Sequence, residues 1–152
     1  MKASSFFTKE QSAQILSAIK EAEKETSGEI RVHIESTISG EVLDRAAWLF
    51  RKLNMHETAE RNGVLFYLAV ESRKFAIIGD AGINSKVPEG FWDDIKAAME
   101  AKFRTGNFSE GLSQGILMAG GQLKEHFPYR KDDINELPDD ISFGNTDITE
   151  TI

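Results

Sequence analysis

The sequence predicts an α/β protein, a three-layer α/β/α sandwich around a small mixed sheet. Two apolar runs carry this prediction: residues 63–70 form one unbroken run, and residues 75–78 form a second after a polar turn at residues 72–74. An apolar run of strand length without alternation is typical of a strand that is covered on both faces. Because the connection is so short, the two runs are predicted to form an antiparallel hairpin at the centre of the sheet.

A further strand is predicted at residues 29–35, where apolar and charged side chains alternate. A period of two with one polar face indicates a strand with one side partly in contact with solvent. The charged face consists of Glu29, Arg31, His33 and Glu35. A helical segment separates this strand from the hairpin, so a right-handed crossover makes the first two strands parallel. The sheet is therefore predicted as a parallel pair plus one antiparallel hairpin strand.

Four helices are predicted to cover this sheet. Thr8 and Gln11 form a capping box that begins the first helix, and an apolar stripe indicates a second helix over residues 42–53. Pro88 is expected in the first turn of the third helix, and the fourth follows Asn107. Glycines lower intrinsic helix stability, so those of the fourth helix are expected to permit close packing on the sheet. They are Gly111, Gly115, Gly120 and Gly121.

Length and charge divide the chain into a domain at residues 1–127 and an acidic extended tail at residues 128–152. The whole chain has 152 residues and a formal net charge of −7. The tail holds seven acidic and two basic side chains, so the domain itself is close to neutral. Isolated apolar residues in the tail are expected to dock on the domain or to contact a partner. They are Ile134, Leu137, Ile141 and Phe143.

Several function classes are excluded or made improbable by composition. The chain has no cysteine, so disulfides, thiolate metal sites and a cysteine nucleophile are excluded. The three histidines are scattered along the chain, which argues against a serine triad. We find no basic cluster of the kind that nucleic-acid binding requires. No apolar run reaches the roughly 18 residues of a membrane span, and we expect a soluble, cytoplasmic protein.

Oxygen-rich side chains gather where the second hairpin strand ends. Asp80 follows that strand within Gly79-Asp80-Ala81-Gly82, and Asn62 precedes the other hairpin strand at the same edge. Calcium and magnesium prefer several carboxylate, amide and carbonyl oxygens at roughly 2.0–2.6 Å. These residues therefore predict a site for a divalent cation, although acids in the first turn of a helix are also favoured by its dipole alone. The predicted ligands are Asp80, Glu35, Asn62, Glu89, Asp93 and Asp94.

The charged face of the strand at residues 29–35 has two interpretations. Glu35 and His33 lie near its end, where they could supply a metal ligand or a general base. The alternative is a solvated face of an outer strand, and we favour that interpretation. The three histidines are expected at the surface.

Four segments together resemble the TPM domain family, which is also called the TPM phosphatase family. Thr26-Ser27-Gly28-Glu29-Ile30-Arg31-Val32 is similar to the family's Thr-Gly-x-x-Ile before a strand, and Asn62-Gly63-Val64-Leu65 opens the central strand. Gly79-Asp80-Ala81-Gly82-Ile83 stands where many members have Gly-Tyr-Gly-Leu-Glu. The segment at residues 103–111 resembles the family's Phe-x-x-Gly-Asp-Tyr-x-x-Gly-Ile, with Asn107 in place of the aspartate. The resemblance covers about Phe7 to Phe127.

The resemblance implies an α/β/α sandwich, an acidic cluster that binds divalent cations at the loop end of the sheet, and acid phosphatase activity in some members. The family's acidic positions fall on Glu89 and near Asp93 and Asp94, whereas Asp80 stands where tyrosine is usual. Three functions follow as hypotheses: a domain that binds calcium or magnesium, a metal-dependent phosphatase acting on phosphate monoesters, and an interaction module for a membrane or stress complex. In the phosphatase, Glu35 or Asp93 would orient the attacking water.

Overall fold

The computed structural model describes residues 2–130, 137 and 140–144. After a short 3-10 helix at Ala3–Ser5, helices and strands follow in an order close to the predicted one. The helices are α1 (Lys9–Glu25), α2 (Val42–Lys52), α3 (Ala81–Asn84), α4 (Asp93–Arg104) and α5 (Phe108–Leu123). The strands are β1 (Glu29–Glu35), β2 (Gly63–Ala69), β3 (Lys74–Gly79) and β4 (Ile141–Phe143).

The sheet has the order β3-β2-β1-β4, so the predicted mixed sheet is confirmed and extended by one strand. β1 pairs parallel with β2 and with β4, and β2 pairs antiparallel with β3. Of the two hairpin strands, only β2 lies at the centre of the sheet, because β3 is an edge strand. β4 lies in the segment that the sequence assigned to an extended tail. Its three residues are too few to produce a periodic signal of their own.

Helices cover both faces of the sheet, which confirms the α/β/α sandwich. α1, α4 and α5 pack on one face with side chains such as Val32 and Phe66. α2 packs on the other face against Leu65 and Tyr67. Every residue of β2 is buried, as the unbroken apolar run predicted.

The prediction of a solvated polar face on β1 was wrong. Glu29, His33 and Glu35 are all buried, and only Arg31 is partly exposed. β1 is an inner strand because β4 pairs with its second edge, and α2 lies over the face that carries these side chains. The expectation that the histidines lie at the surface therefore fails for His33.

The apolar side chains of the tail that the structure describes are used inside the protein. Leu137 and Ile141 are 7% and 6% exposed, and the backbone N–H of Leu137 donates to Glu29 Oε1 at 3.0 Å. These two residues therefore do not present a contact surface to a partner, as the interaction hypothesis required. Phe143 is partly buried and packs against the core, while Ile134 lies outside the described residues.

The glycines of α5 serve helix–helix packing rather than the predicted helix–sheet packing. A Cβ on any of three of them would lie within 3.0 Å of a residue of a neighbouring helix, whereas Gly121 faces open space. The contacts are Gly111 with Phe103, Gly115 with Met99, and Gly120 with Ala22. The small residues thus let α5 lie close to both α4 and α1.

The connection between β3 and α4 differs from the prediction in two ways. The loop after Asp80 contains the single helical turn of α3, and α4 begins at Asp93 rather than at Pro88. Gly90, with φ of +77°, lies in the intervening turn. This loop and α3 lie at the end of the sheet where Asp80 is located, and Glu89 belongs to the same loop.

Candidate functional site

Asp80 lies at the end of β3 with both carboxylate oxygens engaged. Its Oδ1 accepts from the backbone N–H of Ala81 at 2.7 Å, so Asp80 is the N-cap of α3. Arg61 donates through Nε to Oδ2 at 2.7 Å and through Nη2 to Oδ1 at 2.8 Å. Asp80 is 6% exposed, while the Arg61 side chain is 49% exposed. The carboxylate is therefore fixed within the fold, and a single half-exposed guanidinium neutralises it.

The chain before β2 contacts α3 directly at Gly82. The Gly82 N–H donates to the carbonyl of Arg61 at 2.9 Å. A Cβ on Gly82 would lie 2.1 Å from the carbonyl oxygen of Glu60, so only glycine fits this approach. Arg61 adopts a left-handed φ of +51°, which turns the loop into β2 toward Asp80. Backbone geometry thus places Arg61 beside the carboxylate.

Asn62 lies at the same end of the sheet as Asp80, but its side chain is directed elsewhere. Its Nδ2 donates to the carbonyl of Ser27 at 3.2 Å, on the β1 side of β2. Asp80 lies on the β3 side, where its N–H donates to the Gly63 carbonyl. Asn62 Oδ1 is buried and has no hydrogen-bond partner among the described residues. Asn62 and Asp80 therefore lie at the same end of the sheet but do not form one site.

Glu89 and Asp93 do come together, in an open cleft beside α3 that also contains Asn84 and Lys96. The volume of this cleft, here called the Asp93 cleft, is about 480 Å³. The turn at Gly90 approaches Asp93 closely enough that a Cβ there would lie 3.1 Å from Oδ2. The cleft therefore gathers two carboxylates, one amide and one ammonium group.

Asp94, the neighbour of Asp93, does not line the Asp93 cleft, although both belong to the first turn of α4. Within residues 2–130, 137 and 140–144, no three side chains of His, Asp or Glu are arranged to hold a metal ion. A cation in the cleft would depend on two carboxylates, an amide oxygen and water. Magnesium sites in proteins commonly have such a composition, since Mg²⁺ retains several waters.

Glu35 lies at the opposite end of the sheet from Asp80, so these two predicted ligands cannot share an ion. Glu35 pairs with Ala69 at the end of β2, whereas Gly79 pairs with Val64 at its start. A seven-residue strand separates the two ends by about 20 Å. β3 runs antiparallel to β2, and its last residue therefore lies where the parallel strands begin.

Glu35 is the centre of a buried polar network. Its carboxylate accepts from Tyr67 Oη at 2.6 Å and from Arg45 Nε and Nη2 at 2.9 and 2.5 Å. Burial alone would raise the pKa of Glu35, but the nearby His33 ring and the hydrogen bonds from Arg45 and Tyr67 outweigh it and hold this pKa at about 2. Burial and the hydrogen bond to Glu35 both raise the pKa of Tyr67. Glu35 is therefore ionised and fully paired.

His33 and β4 close this network. His33 Nδ1 lies 2.6 Å from Ser142 Oγ, and its Nε2 lies 3.5 Å from Glu35 Oε2. Gly144 packs so closely that a Cβ there would lie 2.3 Å from Glu35 Oε2. Burial lowers the pKa of His33, and this effect outweighs the opposing influence of the nearby Glu35 carboxylate. Because Glu35 and His33 are both buried, they stabilise the fold and are not positioned to contact a substrate.

The family profile of the TPM domain matches residues 1–122. The chain belongs to the TPM domain family. The matched segment includes α1 to α4 and the first three strands, whereas β4 lies beyond it. Both the Asp93 cleft and the Asp80–Arg61 pair therefore belong to the part that this TPM domain shares with its family. No curated protein matches the chain.

Solved structures of similar proteins have the same fold. The NMR structure of the BA42 protein from the psychrophilic bacterium Bizionia argentinensis is 50% identical, with a TM-score of 0.88, over 94% of this chain and 99% of that one. The N-terminal domain of a P. gingivalis protein is 22% identical, with a TM-score of 0.67, over 81% and 80%. The N-terminal domain of the cg2496 protein from Corynebacterium glutamicum is 12% identical, with a TM-score of 0.60, over 90% and 80%. The last two likenesses concern the fold alone.

Among the described helices of this TPM domain, none is both long enough and apolar enough to cross a bilayer.

Proposed function

We propose that this TPM domain binds a divalent cation, calcium or magnesium, in the Asp93 cleft. The observation that supports this proposal best is the convergence of Glu89, Asp93 and Asn84 on one open cleft at the edge where the family resemblance implies a cation site. Hard cations prefer carboxylate and amide oxygens. Lys96 in the same cleft opposes a cation electrostatically, so we expect modest affinity and a strong dependence on ionic strength.

The first test compares two neighbouring aspartates of α4. Asp93→Asn is expected to weaken calcium and magnesium binding at least tenfold, about 1.4 kcal/mol, because it removes one of two carboxylates from the cleft. Asp94→Asn makes the same change of charge one residue away, outside the cleft, and is expected to change the affinity by less than twofold. Isothermal titration calorimetry of the whole chain measures both. Equal affinities for the two variants would contradict the proposed position of the ion.

In this proposal Asp80 positions the site rather than binding the ion. It caps α3, and Asn84 at the end of that helix lines the Asp93 cleft. Direct coordination by Asp80 would require Arg61 to leave, since the guanidinium contacts both carboxylate oxygens.

Arg61→Gln separates these two roles of Asp80. If Asp80 only positions α3, the variant is expected to keep the dissociation constant for calcium within about twofold of the wild type, measured at low salt by calorimetry. A tenfold or greater tightening would show that releasing the Asp80 carboxylate creates a ligand, and it would overturn the positioning role. Lys124→Gln is the matched control, because this exposed cation pairs with Glu25 on α1 instead.

A second candidate function is hydrolysis of phosphate monoesters at the same cleft. The observation that favours it is Lys96, which places a cation beside Asp93, so that a phosphate and a metal ion could bind together. Asp93 would then hold the ion or orient water, while Glu35 cannot take part because it is buried at the far end of the sheet.

An assay with p-nitrophenyl phosphate tests this second function. Activity is expected to disappear with a chelator, to return with added magnesium, and to fall at least tenfold in Asp93→Asn and in Lys96→Gln. Glu110→Gln, an exposed carboxylate that pairs with Lys102, serves as the control and should retain activity. Activity that persists in the presence of chelator would contradict a metal-dependent mechanism. Cation binding without any turnover would leave only the first function.

A further inference from the structure

A second cavity lies at the other end of α4, between the β2–β3 turn and the α4–α5 turn. Its volume is about 320 Å³. Three phenylalanines line it: Phe75 of β3, Phe103 of α4 and Phe108 of α5. Phe75 and Phe103 meet edge to face at 5.0 Å between ring centroids, and Phe103 and Phe108 are stacked at 5.4 Å. We call this the aromatic cavity.

The rim of the aromatic cavity is positively charged. Arg73, Lys74, Arg104 and Glu100 line it together with the phenylalanines. Arg104 pairs with Glu100, so these two charges cancel. Arg73 and Lys74 are exposed and form no ion pair with any other residue in the described part of the chain. The rim therefore retains two positive charges on a protein whose net charge is −7.

The backbone holds these cations at the mouth of the cavity. Arg73 adopts a left-handed φ of +54° in the turn between β2 and β3. Lys74 is the first residue of β3 and pairs with Ala69, so its backbone is fixed by the sheet. An aromatic ring that packs on the phenylalanines gains burial and edge or stacking contacts. The anionic substituent of such a ring would then reach Arg73 and Lys74.

We propose that the aromatic cavity binds a small organic anion, an aromatic ring that carries a carboxylate or phosphate group. The cavity volume is in the range of small-molecule pockets, and its apolar floor with a few polar groups is typical of them. Arginine suits both carboxylate and phosphate because its planar donors can bind two oxygens. This site is independent of the proposed cation function, since α4 separates it from the Asp93 cleft by about 18 Å.

Titration of the ¹⁵N-labelled whole chain with 2-naphthoate, 2-naphthyl phosphate and the neutral 2-naphthamide tests this site by amide chemical shifts. Both anions are expected to shift the amides of Arg73, Lys74 and Gly106, and to bind at least fivefold more tightly than 2-naphthamide. The stronger of the two anions identifies whether carboxylate or phosphate is the preferred group. Equal binding of the neutral amide, or shifts confined to other parts of the chain, would overturn the proposal.

Two substitutions with opposite expected effects make the test specific. Lys74→Gln is expected to weaken binding of the preferred anion threefold or more, because it removes one of the cations at the rim. Glu100→Gln is expected to tighten it about threefold, because it releases Arg104 from its ion pair. Lys124→Gln is the control: this exposed cation pairs with Glu25 on α1, lines neither the aromatic cavity nor the Asp93 cleft, and its loss should have no effect. Unchanged binding in both Lys74→Gln and Glu100→Gln would refute the site.

Discussion

Glu35→Ala is expected to lower the free energy of unfolding by about 3–5 kcal/mol, a large fraction of the stability of a domain of this size. The carboxylate is fully buried and accepts from Tyr67 and Arg45. Its removal takes away the buried carboxylate to which the Arg45 guanidinium, only 18% exposed, and the Tyr67 hydroxyl both donate. Urea denaturation followed by circular dichroism measures the change. Glu110→Ala, which breaks an exposed pair with Lys102, should cost less than about 1 kcal/mol.

The contribution of Glu35 also has a defined pH dependence. The pKa of Glu35 is about 2 in the folded protein, against 4.5 for this side chain in the unfolded chain. The folded state therefore favours the ionised form. The stabilisation is therefore complete above about pH 4.5 and is lost as the pH falls toward 2. The difference between wild type and Glu35→Ala should shrink across that interval. A difference that is small at pH 7, or one that does not change between pH 5 and pH 2.5, would contradict the ionised, fully paired state of Glu35.

Removal of β4 is the second large expected effect. A chain that ends at Glu136 loses the buried side chains Leu137 and Ile141 and uncovers the second edge of β1. Each such side chain contributes about 1.5–3 kcal/mol, so the truncation is expected to cost at least about 3 kcal/mol in the free energy of unfolding. It also removes Ser142, the partner of His33 Nδ1.

A chain that ends at Gly144 is the matched control for this truncation, because it is shortened at the same end but retains β4. Thermal and urea denaturation of the two truncated chains separate the effect of losing β4 from the effect of shortening the chain. Equal stability of the two chains would mean that β4 contributes nothing to the free energy of unfolding. It would contradict the role of β4 in burying His33 and Glu35.

The elements of the matched family region could largely be predicted because their signals are local. Thr8 and Gln11 form the predicted capping box, and residues 63–69 form the fully buried strand that an unbroken apolar run indicates. The alternation at residues 29–35 correctly predicted a strand. It could not show whether the polar face of that strand contacts solvent or forms a buried polar network. That distinction depends on β4, which pairs with β1 from more than 100 positions away in the chain.

The site could be predicted less well, for two different reasons. Separation of Glu35 from Asp80 follows from the antiparallel direction of β3, so this information was available in the predicted topology itself. The Asp80–Arg61 pair was not available, because it depends on a left-handed residue and on the close approach of Gly82. Asp93 and Glu89 were predicted because they follow Asp80 closely in the chain, and the family resemblance pointed to the same residues. Their convergence depends on the turn at Gly90, where the sequence predicted a helix.

The central claim, that the cation binds in the Asp93 cleft, is tested most directly by magnesium and calcium titration of the ¹⁵N-labelled chain. We predict saturable amide shifts that are largest from Asn84 to Lys96, with the residues around Glu35 unaffected. Shifts centred on the Glu35 end of the sheet, or no saturable shifts at either end, would contradict the claim.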